Sequence, residues 1–230
     1  MFTLNPPRAM SSTLRVLSAL LGYPDEEMRR HLTEMRGLLQ AESALSPARR
    51  SEIDALMDAL AGAEPLEAEA GYVELFDRGR GTSLHLFEHV HGDSRERGPA
   101  MIDLGQTYAK AGLMLADGEL PDFLPAVLEF VSTQPPREAR AFLGETTHIL
   151  NAIFAALQQR RSAYAAVLGA LLELAGETAQ PVRPAAEEPL DESWAEPPVF
   201  DGCSTKGQAR PGQPQPIRLV RAGAKPGAVA

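Results

Sequence analysis

Apolar residues recur every three or four positions in one segment after another from Leu14 to Leu172, and no segment alternates apolar and polar between turn signals. The first period lines up side chains on one face of a helix, whereas alternation would line them up on one face of a strand. The chain is therefore expected to be all-α: a single-domain helical bundle, each helix burying its stripe against neighbours. Leu14, Leu17 and Leu21 form a first stripe, stopped by Gly22-Tyr23-Pro24. Asp25 caps the next helix, with Met28, Leu32, Met35 and Leu39 inward. Ser46-Pro47 opens another, lined by Ile53, Leu56, Met57 and Leu60. A fourth helix is expected from Pro65 to Phe76, with Tyr72, Val73 and Phe76 inward. After the breaker Arg78-Gly79-Arg80-Gly81, Thr82 or Ser83 caps a short segment from Leu84 to His91. Residues 94–111 read as a helix with a kink or late start at Gly98-Pro99. Leu120-Pro121-Asp122 opens a helix carrying Leu124, Leu128 and Val131. Two more run from Pro136 to about Arg160 and from Ser162 to Gly176.

The helical domain is expected to span residues 1–176. From Glu177 the composition changes: residues 181–230 hold nine prolines and few large apolar groups. Such a segment buries too little surface to offset its ordering entropy, so residues 177–230 are expected to form a disordered tail. Its charge is split. Glu177 to Cys203 carries seven acids and one base, and the remainder five bases and no acid. Trp194 and Phe200, set among acids and prolines, read as a docking motif for a partner or for the chain's own body.

The net charge of -9 argues against a nucleic-acid partner and against a permanent seat on an anionic membrane. No apolar run approaches the roughly 20 residues of a membrane-spanning helix, and Met1 to Met10 has no hydrophobic signal core. The expected location is the cytoplasm, with no direct membrane insertion. A single cysteine, Cys203, leaves no intramolecular disulfide and no multi-cysteine metal site.

His85-Leu86-Phe87-Glu88-His89 matches the H-x-x-E-H pattern of one class of zinc hydrolase. On a helix, residues four apart share a face, so two imidazoles could hold one zinc while Glu88 serves as general base. The pattern lacks a third ligand. Glu119, Glu129, Glu138, Glu145 and Glu173 are the candidates, and none stands in a distinguishing context. The alternative is that these histidines pack against other helices and bond to carboxylates. The expectation is no bound metal, no cofactor and no catalytic residue, with a zinc hydrolase on His85, Glu88 and His89, or a helical scaffold for another partner, as the competing readings.

The run Tyr72-Val73-Glu74-Leu75-Phe76-Asp77, followed by Thr82-Ser83-Leu84-His85-Leu86-Phe87-Glu88-His89-Val90-His91-Gly92-Asp93-Ser94-Arg95-Glu96-Arg97-Gly98, resembles the nitrate reductase assembly chaperones, the NarJ or delta-subunit family. Leu120-Pro121-Asp122-Phe123-Leu124-Pro125 looks like the Pro-Asp segment of the wider TorD and DmsD group, with Phe123 where relatives often have histidine. The acidic tail with Trp194 and Phe200 is similar too. The resemblance runs from about Leu14 to Phe200 and absorbs the apparent protease motif.

That resemblance implies an all-helical chaperone that is not an enzyme. It would bind the N-terminal segment of the apo form of the nitrate reductase catalytic subunit. It would keep that subunit competent for molybdenum cofactor insertion, with transient contact to the cofactor machinery. The client-binding surface is expected around Tyr72, Phe76, His85, Leu86, Phe87, Glu88, His89 and Asp122, with Glu88 and Asp122 meeting a basic client residue. Arg95 and Arg97 are expected to pair with local carboxylates.

Overall fold

In the computed structural model the described residues are 9–92, 94–116 and 118–177; the expected tail beyond Glu177, with Trp194 and Phe200, lies outside them. The described chain is helical. Its helices are α1 (Ser11–Leu21), α2 (Glu26–Arg30), α3 (Leu32–Glu42), α4 (Pro47–Gly62), α5 (Pro65–Tyr72), α6 (Leu86–His91), α7 (Arg97–Lys110), α8 (Leu124–Ser132), α9 (Pro136–Glu145), α10 (Thr147–Gln159) and α11 (Ala165–Ala175). A π turn over Val73–Asp77 and a 3-10 turn over Arg80–Thr82 lie between α5 and α6. Among the described residues the one β feature is an isolated antiparallel bridge between His85 and Phe123.

The expected stripes form the core. Leu14, Leu17 and Leu21 meet Ile53, Leu56, Met57, Leu124, Leu128, Leu150, Ile153, Leu168 and Leu171 in one buried cluster. Helix α1 packs along α8, and α10 along α11. Two hydroxyls pin the first pair: the buried Ser18 Oγ donates to the Pro125 carbonyl at 2.8 Å, and Ser11 Oγ to the Ser132 carbonyl at 2.6 Å. Helix α1 has no capping side chain of its own. The Glu42 carboxylate instead accepts from the N–H groups of Ser12 and Thr13 at 3.1 and 2.6 Å, a negative charge placed where the helix dipole favours it. Glu173, one of the weighed metal ligands, takes the Ser46 N–H and hydroxyl at the start of α4.

Caps at Asp25 and Ser46 form as expected, accepting from the N–H groups of Met28 and Arg49. Two expected helices are divided. The one from Asp25 breaks at His31, leaving Leu32, Met35 and Leu39 buried on α3 and Met28 only partly covered. The one from Pro136 breaks at Thr146, whose hydroxyl is bonded to the carbonyls of Phe142 and Leu143, a local competitor to the helical ladder. The helix expected from Pro65 to Phe76 leaves the α form at Tyr72. Helix α7 starts late, at Arg97, as Gly98-Pro99 allows. The last helix begins at Ala165, after a turn at Ser162, and ends at the left-handed Gly176.

Candidate functional site

Asp122 is the joint of the region. Backbone bonds zip its segment to the residues before α6: Leu86 N–H donates to the Asp122 carbonyl at 3.0 Å, and Leu124 N–H to the Leu84 carbonyl at 2.8 Å. The carboxylate, 0% exposed, accepts from the Phe87 N–H at 3.1 Å and lies 3.3 Å from His85 Nδ1. The Arg97 guanidinium stands 3.8 Å away. Taking a carboxylate out of water costs several kcal/mol, which those three partners offset. The hydrogen bond to Asp122 raises the pKa of His85 above that of a free imidazole. Partial burial and Arg97 work against it, and the charges of Asp122 and Glu88 add to it.

The remaining candidate residues divide by position. Glu88 accepts from the Ser83 hydroxyl at 2.6 Å and from Arg97 at 3.3 Å, and His89 Nε2 bonds to the Ser83 carbonyl at 2.8 Å. Phe87 is half-buried and packs edge-on against His91. Leu86 and Phe76 are buried in the core. Tyr72 stacks on Phe76 with ring centroids 4.8 Å apart, and its buried hydroxyl donates to the Leu21 carbonyl at 2.7 Å. Asp122 is therefore placed to hold the site together from beneath, and cannot meet a client side chain directly as expected. His85 is the extended residue before α6 and not on it, so His85 and His89 do not share the helical face that a zinc pair would need. Among the described residues no group of three or more His, Cys, Asp and Glu is placed to hold a metal ion.

Above this joint lies an open groove of about 460 Å³, lined by Tyr23, Tyr72, Asp77, His85, Gly118, Glu119, Leu120 and Phe123. Tyr23 stands edge-on to Tyr72 at 5.6 Å, and His85 against Phe123 at 5.3 Å, so its walls are largely aromatic. Tyr23 and Leu120 are 47% and 44% exposed, leaving apolar surface open to a ligand. Asp77 and Glu119 supply negative charge. Of the eight candidates only Tyr72 and His85 line the groove. Sequence reasoning missed Tyr23, read as part of a helix stop, and Glu119, weighed only as a metal ligand. Leu120 and Phe123 were visible as a motif without a wall to stand in.

A glycine shapes one end of this wall. A Cβ at Gly79 would lie 2.9 Å from the Leu75 carbonyl and closer still to the Thr82 hydroxyl, so the turn joining the π segment to the 3-10 segment needs glycine there. Among the described residues no helix is long and apolar enough to cross a membrane.

Known proteins are similar to this chain in sequence and fold. The nitrate reductase delta subunit family matches residues 42–169. The nitrate reductase molybdenum cofactor assembly chaperone NarJ of Escherichia coli is 44% identical over 180 residues, covering 78% of this chain and 76% of that protein. The nitrate reductase-like protein NarX of Mycobacterium tuberculosis is 36% identical over 158 residues, 67% of this chain and 23% of the longer protein. A crystal structure of a candidate redox enzyme maturation protein from Archaeoglobus fulgidus superposes with a TM-score of 0.52 at 18% identity, covering 77% of this chain and all of that one, which supports the helical fold. The chain belongs to the nitrate reductase delta subunit family.

Proposed function

We propose that this protein is an assembly chaperone for respiratory nitrate reductase, and that its groove holds the N-terminal segment of the apo catalytic subunit until the molybdenum cofactor is in place. The observation that carries the reading is the groove itself: aromatic and aliphatic walls from Tyr23, Tyr72, Leu120 and Phe123, edged by Asp77 and Glu119. That combination suits an amphipathic segment with apolar anchors and basic residues. Apolar contact would supply affinity, and complementary charge would favour encounter. The family supports the choice of client, since its relative NarJ is named for nitrate reductase molybdenum cofactor assembly. The protein acts by binding, not by catalysis, and works in the cytoplasm, where the cofactor machinery would meet the held client.

Affinity purification from native cells, read by mass spectrometry, tests the partner. The nitrate reductase catalytic subunit is expected in stoichiometric amount. Calorimetry with a peptide copying that subunit's N-terminus tests the segment. Leu120→Glu places a charge on the exposed groove rim without touching the core, and should abolish peptide binding while the protein stays folded. A native complex without that subunit, or undiminished binding by Leu120→Glu, contradicts the reading.

A further inference from the structure

The π turn gives one groove residue a position that an α-helix would not. Over Val73–Asp77 the chain closes from i to i+5, with the Arg78 N–H donating to the Val73 carbonyl at 3.3 Å. A turn closed this way is wider than an α turn, so residues five apart come nearer to sharing a face than they would in an α-helix. Tyr72 and Asp77 are five apart, and both line the groove. At 3.6 residues per turn they would point roughly 140° apart. Phe76, one residue earlier, is buried beneath Tyr72. Asp77 is exposed, and among the described residues no ion pair or hydrogen bond engages its carboxylate. Its neighbour Glu74, by contrast, does not line the groove and is paired with Arg78 at 2.9 Å.

We infer that Asp77 is a specificity-determining residue, reading a cationic side chain on the client segment, and that the π turn is what brings it onto the groove wall. The inference rests on the proposal that the groove takes a basic, apolar segment. An unpaired carboxylate beside aromatic surface attracts a cation that docks there, and it repels an acidic segment, so it discriminates in both directions. A one-residue change of register would take Asp77 off the groove and leave Glu119 as the charge there.

The test is calorimetry on the full chain with the peptide copying the catalytic subunit's N-terminal segment, at low and high salt. Asp77→Asn is compared with Glu74→Gln, which removes the same charge from the same turn but off the groove. Asp77→Asn is expected to weaken binding about tenfold at low salt and to flatten its salt dependence, whereas Glu74→Gln leaves both unchanged. Replacing the peptide's basic residues by glutamine, one at a time, should find one whose loss is not additive with Asp77→Asn. Equal weakening by both variants would mean that overall charge merely steers the client, and would overturn the inference. Unchanged affinity in Asp77→Asn would overturn it too, while wild-type binding would leave the groove reading standing. Failure of the wild-type chain to bind overturns the groove reading and this inference together.

Discussion

The buried carboxylate of Asp122 accepts the backbone N–H of Phe87 at 3.1 Å across 35 residues of chain. Helix α6 has no capping side chain on its own first residues, so a residue from the approach to α8 supplies the missing acceptor. One carboxylate thus ties the His85 side of the groove to the Phe123 side. The groove's width is set by this joint and by the paired backbone bonds around it.

Replacing Asp122 by asparagine keeps the shape and one acceptor oxygen but removes the charge facing His85 and Arg97. The variant is expected to lose about 1–3 kcal/mol of stability, the scale of a buried hydrogen bond to a charged group. Urea unfolding should show a lower midpoint at unchanged slope. Asp122→Ala, which also orphans the Phe87 N–H, should cost more, about 3–5 kcal/mol. An unchanged midpoint in the asparagine variant would show that the joint adds nothing to the fold.

His85 sets a pH dependence whose sign follows from its raised pKa. In the folded protein the imidazole holds its proton more tightly than in the unfolded chain. Its stabilising contribution is therefore complete below the unfolded value of about 6.5 and is lost as pH rises through the folded value. The stability advantage of wild type over His85→Gln should be largest in mild acid and fade toward alkaline pH. A series of urea titrations measures it, and an advantage that grew with pH would contradict the Asp122 pairing.

How much of this was legible in the residues depends on what each feature needs. The core was, because Leu14, Leu17, Leu56, Leu128, Ile153 and Leu171 repeat at helical spacing and are all buried. The breaks at His31 and Thr146 were not, since the apolar stripe runs on through them. The π turn was hidden for a related reason: Tyr72 and Phe76, four apart, satisfy an α-helix equally well, and only the position of Asp77 separates the two. The groove was least legible. Its walls come from the Tyr23 loop, the π turn and the segment from Gly118 to Phe123, and exposed residues on separate segments share no period. The histidines at 85 and 89 drew notice by their density, yet they belong mostly to the joint beneath.

Tyr72 offers a way to separate fold from wall. Its hydroxyl donates to the Leu21 carbonyl, one of the carbonyls at the end of α1 that the helix itself cannot satisfy. Tyr72→Phe should destabilise the protein by about 1 kcal/mol while keeping the ring against Phe76 and Tyr23. Thermal unfolding with parallel peptide calorimetry checks this. Full stability in the variant would show that the carbonyl finds another donor.

The zinc reading makes the sharpest contrast with the observed geometry. It requires His85 and His89 to turn lone pairs toward one point, with Glu88 free to take a proton from bound water. One nitrogen of each imidazole and the Glu88 carboxylate are otherwise engaged. His85 Nδ1 faces Asp122, and Glu88 is held by Ser83 and Arg97. His89 Nε2 faces a carbonyl oxygen, which can only accept, so that nitrogen must carry a proton and has no lone pair to offer. The remaining ring nitrogens, His85 Nε2 and His89 Nδ1, belong to residues that do not share a helical face, and among the described residues no third ligand joins them. The chain incubated with zinc and then dialysed is therefore expected to retain no stoichiometric metal. His89→Ala should lower stability by about 1 kcal/mol whether or not zinc is present, because what it removes is a hydrogen bond. Elemental analysis finding one zinc per chain, lost in His85→Ala, would reverse the argument and return a hydrolase to consideration.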